Sequence, residues 1–184
     1  MKLILCKTRE DAGERLADTL AFAIVKNPHL KLGLSAGRTS ILCYTGLVQR
    51  FHERGGFSFR HVTAFGTDEY VGLTPNDHRS TRYLMNFHLF RQVDIPREQT
   101  FVPRGDAKDL DAECKAWDML IEAREVLLIA TGLGKADALH KMMEGRSGPS
   151  VPASLLLNHP KLTIFADRDA TSRLDDDSLA KAEK

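Results

Sequence analysis

Apolar and polar positions along the chain change period again and again, and each change marks an element. Lys2 to Thr8, "KLILCKT", is a short apolar run of strand type, and Glu10 to Lys26 then places Ala12, Leu16, Leu20, Ala23 and Ile24 at helical spacing. Asn27-Pro28 stops that helix, because proline disfavours helical geometry in the residue before it. Leu30 to Ala36 is a second strand, Gly37 turns the chain, and a helix runs from about Thr39 to Arg54 before Gly55-Gly56. The third strand is the apolar run in "VTAFGTDEYVGL", Val62 to Leu73. Ser80 to Val93 is predicted helical, with Tyr83, Phe87 and Phe90 on one core-facing side, and "QTFVP" is a short extended piece. Asp109 to Glu122 is a helix begun by acidic residues, Glu125 to Thr131 is the strongest strand, Lys135 to Glu144 is a helix, and Lys161 to Asp169 is the last strand. This βαβα rhythm predicts an α/β, Rossmann-like, open and mostly parallel sheet with helices on both faces, in one domain spanning residues 1–184. The tail, "LDDDSLAKAEK", is polar and is expected to fray.

Composition narrows the class without naming the chemistry. A 42% hydrophobic and 28% charged chain is ordinary for a globular protein, and a net charge of +1 supplies no global field for nucleic acid or an anionic membrane. Any anion is therefore bound by a local site. Cys6, Cys43 and Cys114 are odd in number and lack metal-ligand spacing, so they read as buried small hydrophobes in a reducing compartment. The run after Lys2 is too short for a signal peptide, and a cytoplasmic location is expected.

The third strand ends abruptly in Thr67-Asp68-Glu69-Tyr70. Ligands of open α/β sheets bind outside the carboxyl ends of the strands, so an acid at this position is able to reach a substrate from a partly dry pocket. A solvated acidic turn is the competing reading. Two further turns suit phosphate. "GLSAGRTS", Gly33 to Ser40, offers free N–H groups at a helix start beside the hydroxyls of Ser35, Thr39 and Ser40, with Gly37 allowing close backbone approach. "TGLGK", Thr131 to Lys135, supplies a lysine. Neither has Walker spacing, and glycine in such turns often serves geometry alone. Together they suggest a small phosphorylated metabolite. His78 reads as a solvated loop histidine, Ser154 as a helix N-cap and Trp117 as core or interface.

These stretches carry a resemblance. "LGLSAGRTS", "FGTDEYVGL" followed by "HRSTRYLMNFHLF" and "VDIP", "DAECKAWDMLI", "EVLLIATGLGKADAL" and "VPASLLLNHPKLTIFADRDA" are similar, in order, to the glucosamine-6-phosphate deaminase (isomerase) family, kin in fold to 6-phosphogluconolactonases. The resemblance implies Asp68 as the base that moves a proton between C2 and C1 of an opened amino sugar. It implies Gly37, Arg38, Thr39 and Lys135 around the 6-phosphate, and Ser35, Glu69 and Tyr70 along the pocket wall. It implies a hexosamine phosphate as the small-molecule partner, and no cofactor, metal or nucleic acid.

One block of the family pattern is missing. Members carry a Gly-His-Ile-Gly-Phe-Asn-Glu type motif, which opens the sugar ring, between the helix matched by Asp109–Glu122 and the strand matched by Glu125–Thr131. None of the seven histidines stands in such a context here, and a phosphate-binding arginine of the same block is absent. The junction shows this without the family: "DMLIEAREVLLIATG" passes from helix pattern to strand pattern with no turn former. An internal deletion there would remove strands as well as catalytic residues and leave sheet edges unpaired, to be covered within the sheet or by a partner subunit in a homo-oligomer. Three readings stay open: a deaminase, a sugar-phosphate binding or regulatory module without turnover, and an internally deleted product without independent function.

Overall fold

The computed structural model describes residues 1–118, 125–145, 152–180 and 182. Its contacts divide the chain into two compact units, Met1–Leu16 with Arg124–Lys184, and Ala17–Ala123. The junction read at Glu122-Ala123-Arg124 lies outside the described residues.

The first unit is built on three parallel strands in the order β1 (Lys2–Cys6), β6 (Leu162–Asp167), β5 (Val126–Ala130). The central strand pairs along its whole length: Lys2 faces Thr163 and Cys6 faces Asp167 on one side, and Val126 faces Leu162 and Ala130 faces Ala166 on the other. Successive residues of β6 point to opposite faces, and Leu162, Ile164, Phe165 and Ala166 are all buried, so the strand is covered on both faces. Helix α5 (Ala136–Met143) adds Leu139 and Met142 to that core. The acidic tail does not simply fray: Asp176–Ala180 form a short helix, α6, whose Ser178 N–H donates to the Asp175 carboxylate at 2.8 Å.

The second unit also holds three parallel strands, in the order β2 (Lys31–Leu34), β3 (Thr63–Gly66), β4 (Thr100–Phe101). Helix α2 (Arg38–Glu53) buries Cys43, Tyr44, Leu47 and Arg50. Arg50 is tolerated inside because its Nε reaches Asp18 at 2.6 Å and its Nη1 the Gly46 carbonyl at 2.9 Å. Asp18 lies on α1 (Arg9–Lys26), the long helix with Ala12, Leu16 and Ile24 on its buried stripe. Helix α4 (Leu110–Asp118) follows β4.

Three expectations need correction here. The predicted helix over Ser80–Val93 is α-helical only as α3 (Thr81–Met85) and continues as a π-helix over Asn86–Phe90. The wider turn advances the phase by one residue, so Leu89 and Phe90 are buried while Phe87, expected on the core side, is 56% exposed and stacks on Tyr83. Among the cysteines Cys6 and Cys43 are buried, but Cys114 is exposed because it falls on the outer side of α4. Ser154 is buried within a 3-10 segment, Pro152–Asn158, rather than at a cap.

Candidate functional site

The register of β2 against β3 sets the geometry. Leu34 pairs with Gly66, and the Thr67 N–H donates to the Leu34 carbonyl at 2.9 Å. The two chain segments that follow, from Ser35 and from Thr67, therefore leave neighbouring strands side by side at their carboxyl ends. Gly66 itself has a steric cause on the β4 side, where a Cβ would come within 3.0 Å of both Val102 methyls.

In the first segment Gly37 precedes α2 with φ −171° and ψ 162°, an extended conformation open to any residue. No protein atom lies within 4 Å of where its Cβ would stand, so the glycine is explained neither by strain nor by packing. What it leaves is open space before the free N–H groups of α2, whose first turn carries no acid. Ser35 and Ser40 hydroxyls meet at 2.8 Å, and the Tyr44 hydroxyl donates to the Ser35 carbonyl at 2.6 Å. Burial raises the Tyr44 pKa well above the ordinary phenol range, with smaller contributions from Cys43 and from the Asp68 carboxylate. Tyr44 is thus a neutral donor fixed beneath the loop. Arg38 is exposed, and Thr39 is half-buried.

In the second segment Asp68 is exposed, with the Thr67 hydroxyl donating to its Oδ1 at 2.9 Å. Among the described residues the partly dry pocket expected around this carboxylate is not formed, because the strand stops at Gly66 and Asp68 lies past it. Glu69 does something else. Its Oε1 accepts the N–H of Tyr70 at 2.8 Å and of Thr81 at 2.9 Å, and its Oε2 accepts the Ser80 hydroxyl at 2.9 Å and the Arg82 N–H at 3.1 Å. The carboxylate closes the N-terminus of α3, where free N–H groups favour negative charge. Tyr70 is 62% exposed. The loop returns through Gly72, whose N–H donates to the Gly105 carbonyl at 2.7 Å, and Gly105 lies so close that a Cβ there would overlap the Tyr70 carbonyl.

Ser35, Gly37, Arg38, Thr39, Asp68, Glu69 and Tyr70 all belong to the second unit, and Lys135 belongs to the first. Lys135 ends a 3-10 turn, Leu133–Lys135, that leads into α5, and it is exposed. That turn is anchored by a residue the sequence reading passed over. Asp167, buried at the end of β6, accepts the Gly132 N–H on both oxygens at 3.0 Å and the Ala170 N–H at 2.8 Å. Gly132 has φ 82°, where glycine is strongly favoured. The sequence signal for Asp167 equals that for Asp68, an acid closing an apolar strand. His78, as expected, is solvated, its side chain 81% exposed. Among the described residues no group of three or more His, Cys, Asp and Glu side chains could hold a metal, and no helix is long and apolar enough to cross a membrane.

No protein-family model matches the chain. Individual proteins do. The glucosamine-6-phosphate deaminase of Geobacillus sp. (strain WCH70) is 29% identical, over 96% of this chain and 97% of the relative. That of Bacillus velezensis is also 29% identical, over 92% of this chain and 98% of its own length. The Geobacillus comparison runs over 245 positions against 184 residues here, so at least 61 of them (245 − 184) have no counterpart in this chain. A solved monomeric glucosamine-6-phosphate deaminase superposes with a TM-score of 0.88 at 26% identity, covering 94% of this chain and 100% of the other. A 6-phosphogluconolactonase from Trypanosoma cruzi shares the fold, with a TM-score of 0.71 at 17% identity over 94% and 96% of the two chains. By sequence along nearly its whole length and by fold, the chain is similar to glucosamine-6-phosphate deaminases.

Proposed function

We propose that the chain acts on an amino-sugar phosphate, converting glucosamine 6-phosphate and water to fructose 6-phosphate and ammonia. The observation that carries this is the pairing of β2 with β3, which sets the open, acid-free start of α2 beside the loop of Asp68. Asp68 is the base: it takes the proton from C2 of the opened sugar and returns it to C1. The backbone around Gly37 and the side chains of Arg38 and Thr39 receive the phosphate, and Lys135, carried by the other unit, is a phosphate-binding charge of its own. Ser35 and Tyr70 line the pocket, and Glu69 supports it by fixing the loop. Binding the remote phosphate holds the reacting carbons in place, so its binding energy serves the chemistry at C1 and C2. The reaction takes place in the cytoplasm.

A second reading has its own support. The motif that opens the ring in the family has no counterpart here, and at least 61 aligned positions of the Geobacillus relative are unmatched. A chain lacking that block retains a phosphate site as a binding or regulatory module. Ammonia release from glucosamine 6-phosphate, with thermal shift read on the same sample, separates the two. Release that disappears in Asp68→Asn supports the deaminase. A thermal shift without ammonia supports the module, and neither signal removes both.

A further inference from the structure

A second anion-binding feature stands apart from the loops just described. Beside β4 lies a cleft of about 610 Å³, within the size range of small-molecule sites. Four of its lining side chains are arginines, Arg82, Arg91, Arg97 and Arg104, and among the described residues no acidic one lines it. Among the described residues Arg82, Arg91 and Arg97 have no carboxylate in salt-bridge range, whereas Arg104 meets Asp106 at 3.2 Å. Arg82 is held in a fixed pose. Its Nη1 and Nη2 donate to Thr100 Oγ1 and to the Thr100 carbonyl, both at 3.0 Å, and Thr100 Oγ1 in turn donates to the Arg97 carbonyl at 2.7 Å. Burial, and then the nearby Arg97 charge, lower the Arg82 pKa, against a smaller raising effect from Glu69. Asn86 adds an amide, and Phe90 with Ile95 forms an apolar wall.

We propose that this cleft is an accessory binding site for a small polyanionic metabolite that carries two anionic groups, at least one of them a phosphate. Guanidinium forks match phosphate and carboxylate oxygens in pairs, and the apolar wall suits the carbon body between them. A single inorganic phosphate leaves most of 610 Å³ unfilled. The site is built into the same unit as Asp68, and the Arg82 backbone N–H is held by Glu69, the residue next to Asp68.

The test is isothermal titration of the full chain with pyrophosphate, and in parallel with inorganic phosphate. Pyrophosphate is expected to bind at one equivalent, about tenfold or more tighter than phosphate, and Arg97→Ala and Arg91→Ala are each expected to weaken it about tenfold. Both arginines are exposed, so the variants should retain the unfolding midpoint of the parent. Lys135→Ala should leave pyrophosphate binding unchanged, which separates this cleft from the substrate phosphate site. No pyrophosphate binding would overturn the proposal. So would binding that Lys135→Ala or Arg38→Ala weakens while Arg97→Ala does not.

Discussion

Glu69 holds Arg82 by its backbone: the carboxylate accepts the Arg82 N–H at 3.1 Å, while the Arg82 side chain reaches away to Thr100 on β4. The loop carrying Asp68 is thereby tied to the edge of its sheet through one helix turn. Truncation of Glu69 strands four donors, two of them on the half-buried first turn of α3. Glu69→Ala should therefore cost about 3 kcal/mol in urea unfolding, and Glu69→Gln about 1–2 kcal/mol, since one amide oxygen still accepts. Turnover should fall in both variants, because the Asp68 loop loses its anchor. A Glu69→Ala variant with the parent's midpoint would remove the clamp.

Gly105 and Gly37 make a pair with opposite expectations. At Gly105 a Cβ would meet the Tyr70 carbonyl and stand 2.9 Å from the Leu73 carbonyl, and backbone oxygens cannot swing away. Gly105→Ala should destabilise by about 2 kcal/mol or more and perturb the Asp68 loop. At Gly37 the backbone is extended and the space is open, so Gly37→Ala should leave the unfolding midpoint unchanged. If a ligand phosphate approaches that backbone, the same change should weaken sugar-phosphate binding about tenfold, read by titration. Intact binding in a stable Gly37→Ala would move the phosphate elsewhere.

The alternation of strands and helices was legible because period 2 and period 3.6 leave distinct traces, and all six strands fall within the runs the pattern marks. Phase errors arise where the backbone departs from those periods. The π-turn at Asn86–Phe90 leaves no mark in composition, so Phe87 was assigned to the wrong side. The division of labour among the candidate residues was not legible. Asp68, Glu69 and Asp167 all follow apolar strands, and a single chain gives no means to foresee that one is exposed, one caps a helix and one is buried under a turn. The arginine cleft escaped notice because its residues are scattered from position 82 to 104 and meet only through the packing of α3 against β4.

The thiols offer a test of burial. Cys6 is 3% exposed, and its pKa is raised to about 11, chiefly by burial and then by the nearby Asp11 charge. The folded state thus holds this proton more tightly than the unfolded chain, whose thiol titrates near about 8.5. Its stabilising contribution is complete below that value and is lost as pH rises towards 11. Denaturant melts across this window should show a decline that Cys6→Ala makes shallower by about 3 kcal/mol at its upper end. With a thiol reagent at pH 8, Cys114 should react at once, and Cys6 and Cys43 only on unfolding. Rapid labelling of all three would contradict the burial.

The turn before α5 separates positioning from charge. Asp167 spends both carboxylate oxygens on Gly132 and Ala170 backbone donors from a buried position, so Asn in its place turns an NH2 towards an N–H. Asp167→Asn should cost about 2 kcal/mol and also weaken sugar-phosphate binding, because the turn that presents Lys135 is released. Lys135 is exposed, so Lys135→Ala should leave stability within about 0.5 kcal/mol of the parent while weakening the same ligand about tenfold. Urea melts and titration with glucosamine 6-phosphate on both variants give the two readouts. Unchanged affinity in Lys135→Ala would detach this turn from the phosphate, and Asp167 would then be a fold residue alone.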